Sequence, residues 1–376
     1  MIRKGDVQWW VLEARKSPES APALIEELAE RLVELDAENE NLRDEIIRLQ
    51  RRTSTMPEDS EAVSELRRKV AMLQGLLDGE AADEPAVTLV SERLDAARVP
   101  IPKARRLSRE GTALLGGQSS LRVRSILLTR PHEELLLLSN QARGFKITAS
   151  DIPLLIDEGE WPSFNGPQIA KGEWLTAAVT AGQPPRFWTL VTRRGFVQQC
   201  IRIGLDRDIE AGRQLIESPF RRDAPVAIVN GDQGDLLIVT RWGKYVRFPQ
   251  RAIPQNGAPA IELDPDDEIV AALPLARETE ILVATASGHV MRRETAQLSA
   301  HSKPGQAGRT LIQAFDALAA FPFDPQGQLV YLTYSGRLTL IPAEQIPLHL
   351  RAGKGNQMRD LDRDPAVAAT LIPGTL

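Results

Sequence analysis

A short apolar run ending in Ser or Thr returns six times along this chain, and its spacing constrains the fold more than any other feature. The copies are "TLVS" at Ser91, "LLLLS" at Ser139, "TLVT" at Thr192, "LIVT" at Thr240, "LVAT" at Thr285 and "VYLT" at Thr333, separated by 48, 53, 48, 45 and 48 residues. Four copies place glycine three residues later, at Gly195, Gly243, Gly288 and Gly336; the second has Gly144 five residues on, and the first has none. Glycine reaches the left-handed conformation that closes a short hairpin loop without steric cost, so each copy reads as the opening of a β-hairpin. A second strand follows in "FVQQC", "KYVRF", "HVMRR" and "RLTLI", and three copies then show Ile-Pro, in "SDIP", "RAIP" and "EQIP".

A Gly-marked segment leading to a further apolar strand completes each unit, as in "GPQIAKGEWLTAAVTA", "GAPAIELDPDDEIVAALPL", "GRTLIQAFDALAAFPF" and "GKGNQMRDLDRDPAVAATLI". A period near 48 with short strands and turn residues predicts one roughly four-stranded blade per repeat, hence an all-β six-bladed propeller over residues 86–376. The competing arrangement, a pair of ordinary β-sandwiches, has no reason to keep the interval so constant.

Residues 1–85 read differently. Ile25, Leu32, Asn39 and Ile46 fall on one heptad seam position and Leu28, Leu35, Leu42 and Leu49 on the other. Isoleucine at a, leucine at d and one polar Asn at an a position predict a parallel two-stranded α-helical coiled coil, and therefore a homodimer; a helix packed back on its own chain is the alternative. Pro57 ends this register, a second apolar stripe runs through Val63, Leu66, Val70, Leu73 and Leu77, and the acidic "DGEAADEPA" reads as a linker.

Charge divides along the same boundary. The chain carries a net −5, but residues 1–85 hold 12 Lys+Arg against 20 Asp+Glu, leaving 34 against 31 for residues 86–376. A small cationic excess permits an anionic partner without requiring one, because phosphate binding depends on clustering. One cysteine excludes an internal disulfide, the four histidines are too scattered for a metal cage, and no phosphate loop or nucleophile-base spacing suggests a cofactor or catalysis. The chain has neither a signal-like N-terminus nor an apolar run long enough for a bilayer, which places it in the cytoplasm, associated with the nucleoid if it binds DNA.

The repeats resemble those of the C-terminal domain of DNA gyrase A and of its topoisomerase IV counterpart. "LLIVTRWGKYVRFPQRAIP", "GAPAIELDPDDEIVAAL", "LVTRRGFVQQ" and "LRAGKGNQMRDL" carry the resemblance. It implies a β-pinwheel that wraps duplex DNA around its rim. Two departures limit it. No counterpart of the catalytic breakage-reunion domain is present, and the tyrosines Tyr245, Tyr331 and Tyr334 all fall in repeat strands or turns, so the chain is not expected to be an enzyme. The family's wrapping box, Gln-Arg-Arg-Gly-Gly-Lys-Gly, is also absent; "RAGKGN" (Arg351 to Asn356) is nearest and "KPGQAGR" (Lys303 to Arg309) looser.

DNA held on such a rim meets cations and amides at its phosphates. The candidates near turns and second strands are Arg143, Lys146, Arg193, Arg194, Arg241, Lys244, Arg247, Arg251, Arg292, Arg293, Lys303, Arg309, Arg337, Arg351 and Lys354. The leading expectation is a non-catalytic protein that binds, bends or wraps duplex DNA and attends a type II topoisomerase. The alternatives are a protein-interaction propeller that has lost DNA wrapping and one part of a split topoisomerase, working in trans.

Overall fold

The computed structural model describes residues 84–374 other than 117–121, 156–157, 181–184, 221–222, 233 and 276–278, together with the single helical position Ala37. The heptad residues Ile25 to Leu49 lie outside the described residues. The chain divides into two units, Met1–Asp83 and Glu84–Leu376, and the repeats fill the second. No described helix is long and apolar enough to cross a membrane.

Six repeats follow one another. The first holds β1 (Ala86–Ser91), β2 (Ala96–Pro100), α1 (Ile101–Glu110) and β3 (Val123–Thr129); the second β4 (Glu134–Ser139), β5 (Gly144–Thr148) and β6 (Leu175–Thr180). The third holds β7 (Phe187–Thr192), β8 (Phe196–Ile201), α2 (Arg202–Glu210) and β9 (Pro225–Asn230). The fourth holds β10 (Asp235–Thr240), β11 (Lys244–Pro249), β12 (Ala258–Pro259), β13 (Ile261–Glu262) and β14 (Ile269–Leu275). The fifth holds β15 (Glu280–Thr285), β16 (His289–Glu294), β17 (Gln306–Ala307), β18 (Arg309–Thr310) and β19 (Ala317–Pro322). The sixth holds β20 (Gln328–Thr333), β21 (Leu338–Pro342), β22 (Asn356–Gln357) and β23 (Ala366–Ile372).

The Ser or Thr that ends each first strand has a shared task. Its buried hydroxyl oxygen accepts the amide of the residue four positions on, at Asp95, Arg143, Phe196, Lys244, His289 and Arg337. This bond closes the hairpin around a residue three positions after the Ser/Thr, which has positive φ in every unit. Glycine fills that place four times, but Ala142 (φ 58°) and Leu94 (φ 71°) fill it in the second and first units. The sequence had pointed to Gly144 in the second unit; Gly144 instead begins β5. Blades 4 and 5 have no room for a side chain here, since a Cβ on Gly243 would strike the Ile312 carbonyl and one on Gly288 that of Arg359.

The Ile-Pro step also has a physical reason. A single 3-10 turn follows the second strand, and Ile152, Ile253 and Ile346 then bury their side chains, with Leu298 in the same place in the fifth unit. Proline lacks an amide and holds the backbone extended. The chain therefore leaves its own sheet and crosses to the outer edge of the preceding blade. There β12 pairs with β8, β18 with β11 and β22 with β16, each antiparallel. Shorter bridges do the same elsewhere: Gln214 pairs with Arg143, and Ala113 of the first unit with Arg337 of the sixth. Each blade is thus finished by a strap from the next unit.

The third strands sit at the opposite edge of each sheet and pack against one another in cyclic order, β3, β6, β9, β14, β19, β23 and back to β3. They line the axis and the straps form the rim. The apolar core is correspondingly split into six wedges between neighbouring blades. Leu236 and Ile238 face the wedge toward blade 3, whereas Leu237 and Val239 face that toward blade 5. Burial on both faces explains why the first strands read as unbroken apolar runs.

Candidate nucleic-acid interface

The predicted cations separate into three groups. Seven meet carboxylates. Lys146 binds Asp206 at 2.9 Å and Glu134 at 3.5 Å; Arg193 and Arg241 share Glu268 at 3.9 and 3.4 Å; Lys244 pairs with Asp264. Arg247 pairs with Asp235 at 2.6 Å across its own hairpin and donates to the Thr295 and Leu298 carbonyls of the next unit. Arg292 repeats this arrangement with Glu280 at 2.5 Å and the Ile346 carbonyl, and its guanidinium stacks 3.7 Å from the Phe323 ring centroid. Arg247 and Arg292 therefore fasten one unit to the next and have little left for a phosphate.

Arg143 is the seventh. It forks onto Glu173, whose carboxylate also accepts the Ser139 hydroxyl and the Ala170 amide. Burial alone would push the Glu173 carboxyl up, but the hydrogen bonds from Arg143, Ser139 and Ala170 outweigh it and bring it to about 2.

Two further cations are committed to backbone. Arg194 donates to the Pro265 carbonyl at 2.9 Å, and the buried Arg293 reaches the Leu350 carbonyl at 3.5 Å. The remaining six, Arg251, Lys303, Arg309, Arg337, Arg351 and Lys354, are exposed and have no salt bridge among the described residues.

The straps bring these and other cations together. Taken up to its third strand, the strap over blade 4 (residues 299–316) carries Lys303 and Arg309 against Asp316. That over blade 5 (347–365) carries Arg351, Lys354, Arg359 and Arg363 against Asp360, Asp362 and Asp364. Over blade 6 the strap is α1 and its exit (101–122), with Lys103, Arg105, Arg106, Arg109 and Arg122 against Glu110. Three adjacent straps therefore present eleven cations and five carboxylates. Lys354 lies between two glycines, and Gly355 (φ 76°) packs so closely on β16 that a Cβ would come within 2.7 Å of the Val290 carbonyl.

The other half of the rim has the opposite sign. Over blade 3 (254–268) the strap carries Glu262, Asp264, Asp266, Asp267 and Glu268 and no cation. Over blade 2 (202–224), Arg202, Arg207 and Arg213 face Asp206, Asp208, Glu210, Glu217 and Asp223; over blade 1 (152–174), Lys171 stands against Glu158, Glu160 and Glu173. Among the described residues this arc holds four cations and thirteen carboxylates.

Several of these residues were not anticipated. Lys103, Arg105, Arg106, Arg109 and Arg359 lie outside the turns and second strands where cations were sought. A repeating aspartate was also passed over: Asp223, Asp267, Asp316 and Asp364 each accept a hairpin-turn amide, from Arg194, Trp242, Ser287 and Ser335. The signal was available, since each precedes the third strand by one or two residues. Two of the three tyrosines are buried in the fold, and Tyr334 is exposed: the Tyr245 hydroxyl accepts the Ser299 amide at 3.0 Å, and burial, followed by the nearby Asp316, pushes the Tyr331 phenol up.

Comparison with known proteins agrees with this architecture. Residues 133–155 and 234–276 match the family described as DNA gyrase C-terminal domain, beta-propeller. The DNA gyrase A protein of Staphylococcus aureus is 23% identical over 350 residues, which cover 87% of this chain and 39% of that protein. Its Staphylococcus epidermidis equivalent is 23% identical over 358 residues, covering 89% and 39%. The chain thus spans about two fifths of the length of these relatives. A solved DNA gyrase A C-terminal domain superposes with a TM-score of 0.61 at 17% identity, over 77% of this chain and 100% of that one. The C-terminal domain of DNA topoisomerase IV gives 0.55 at 17% identity, over 78% and 94%.

Proposed function

We propose that this ring, built of repeats of the DNA gyrase A C-terminal type, binds duplex DNA along the arc of its rim formed by the straps over blades 4, 5 and 6. The observation that carries the reading is the run of eleven cations against five carboxylates on three consecutive straps, where the other three carry four against thirteen among the described residues. Lys103 and Arg106 are engaged with Glu158, and Arg122 and Arg363 lead into third strands, which leaves about seven strap cations for phosphates. Each contact releases counterions, so log K should fall with log salt with a slope of roughly −6. The acidic arc opposes a full circuit. Contact is therefore confined to about half of the circumference, and the resulting bend costs on the order of 1–6 kcal/mol for a short duplex.

The function is a non-catalytic accessory to DNA topology: the ring holds or bends a duplex in the cytoplasm, on the nucleoid, and a type II topoisomerase supplies strand passage. Dimerisation through Ile25 to Leu49 would join two such arcs and allow one protein to bridge two segments. A mobility-shift titration on linear and relaxed circular duplex at two salt concentrations tests the reading. A salt-steep shift on both substrates is expected, and a shift absent at low salt overturns it. A second reading, a protein-interaction ring, draws on the exposed carboxylates of the other arc, Glu160, Glu210, Glu217, Glu262 and Asp266, and on the seven predicted cations already neutralised within the fold. It predicts no duplex binding and capture of a basic protein surface. A split topoisomerase working in trans predicts co-purification with a tyrosine-bearing cleavage partner.

A further inference from the structure

Arg293 stands where the other five blades place an apolar residue or cysteine. In the hairpin registers its counterparts are Val99, Ile147, Cys200, Phe248 and Ile341, each opposite the same first-strand position. It is the one charged residue of that set, and it is only 6% exposed. Its side chain is turned into the wedge between blades 4 and 5, since its register partner Ile281 packs there with Met291. No carboxylate meets it among the described residues. The neighbouring Arg292 has Glu280, whereas among the described residues the Arg293 Nε is buried without a partner and Nη2 reaches only the Leu350 carbonyl at 3.5 Å. A buried charge without a counter-ion is costly to hold, and burial lowers the Arg293 pKa accordingly.

The surroundings suit an anion. Leu350 lies in the cationic strap next to Arg351, so the guanidinium reaches the underside of the segment that carries Arg351 and Lys354. Tyr245, whose hydroxyl accepts the Ser299 amide, packs in the same wedge. Two residues beyond Ser299, His301 holds a buried Nε2 without a partner among the described residues. We propose that Arg293 is the base of an oxyanion-binding site at the junction of blades 4 and 5, which takes a tetrahedral phosphate group between the wedge and the strap above it. The chemistry is shared by a free phosphate and by a phosphodiester of bound DNA. The guanidinium presents a fork of N–H donors of which Nε is unused, which matches two oxygens of one phosphate.

Isothermal titration of the full chain with inorganic phosphate, at ionic strength held constant with chloride, tests the site. One saturable phosphate per chain is expected in the native protein. Arg293→Ile, which installs the side chain that blade 6 uses, should lose it while keeping the native circular-dichroism spectrum. Arg293→Lys keeps the charge without the fork and should weaken phosphate binding by about tenfold, and it serves as the readout if the isoleucine variant does not fold. Absence of saturable binding in the native chain, or equal binding by either variant, overturns the proposal. Repeating the titration with a short duplex already bound separates the sources: displacement assigns the site to backbone phosphate, and undiminished binding to a free anion. The site stands independently of DNA binding, because the phosphate titration can succeed where the mobility shift fails.

Discussion

The cationic arc over blades 4 to 6 and the acidic arc over blades 1 to 3 are built from the same parts. In both, a segment from one unit leaves its sheet and lies along the outer edge of the blade before it. Beneath the straps the two halves also share their hairpin chemistry, with a Ser/Thr hydroxyl accepting the turn amide in all six units. What differs is the outward residues of the strap. The scaffold therefore fixes where charge is displayed and leaves its sign to the least constrained segment. Loops on a rigid frame commonly carry function for this reason.

The largest effect should come from erasing the contrast. Combined Lys303→Glu, Arg309→Glu, Arg351→Glu and Lys354→Glu should weaken duplex binding by about a thousandfold or more near 50 mM salt in a mobility-shift titration, and flatten the salt slope by roughly four contacts. An unchanged affinity would remove the cationic arc from the binding surface.

Next comes the fit of strap on turn. Gly243→Ala in the cationic half should destabilise the fold by about 3 kcal/mol in denaturant unfolding, combining left-handed strain with the collision against the Ile312 carbonyl. Ala142→Gly at the matching turn of the acidic half should change stability by less than about 1 kcal/mol, since that turn already accepts a Cβ.

Glu173 sharpens the comparison from the acidic side, because its charge is spent inside the fold. Its folded-state carboxyl is brought to about 2 from an ordinary 4.5, so the stability it contributes is fully present above pH 4.5. It is lost progressively as pH falls from there toward 2. Glu173→Gln should therefore cost about 3 kcal/mol near pH 7, and the difference from the native chain should vanish near pH 2.

The smallest effect should come from the exposed acids over blade 3. Glu262→Gln with Asp266→Asn should tighten duplex binding by about two- to fivefold at low salt, through relief of long-range repulsion, with no gain above roughly 0.15 M. A loss of affinity instead would place DNA on the acidic arc.

Much of this ring was legible in the chain because its determinants are local. A Thr that must bond four residues ahead, a glycine forced by an approaching carbonyl and an Ile-Pro exit all recur at fixed offsets, and the apolar first strands announce burial on both faces. The left-handed Ala142 and Leu94 gave no such sign, since a positive φ in a non-glycine residue is set by tertiary contacts. The exchange of straps was hidden too, because pairs such as Arg309 with Tyr245 are two residues long and join units 64 positions apart. For the interface, choosing cations by their place beside turns brought in Arg247 and Arg292, whose partners Asp235 and Glu280 sit 12 residues earlier on the adjacent strand. Strand alternation would have revealed that pairing. The same rule missed α1, whose four cations belong to the first unit by sequence and to the sixth blade in space.

That last placement has a mechanical consequence. No covalent bond fastens the hoop: its clasp is the Leu114 and Leu115 amides on the Gly336 carbonyl, α1 against β21, and the apolar wedge shared by β1, β20 and β23. Trimming the polypeptide at either extremity of the described region would not yield a smaller wheel. It would unlatch the seam and bare strand edges ready to recruit another chain.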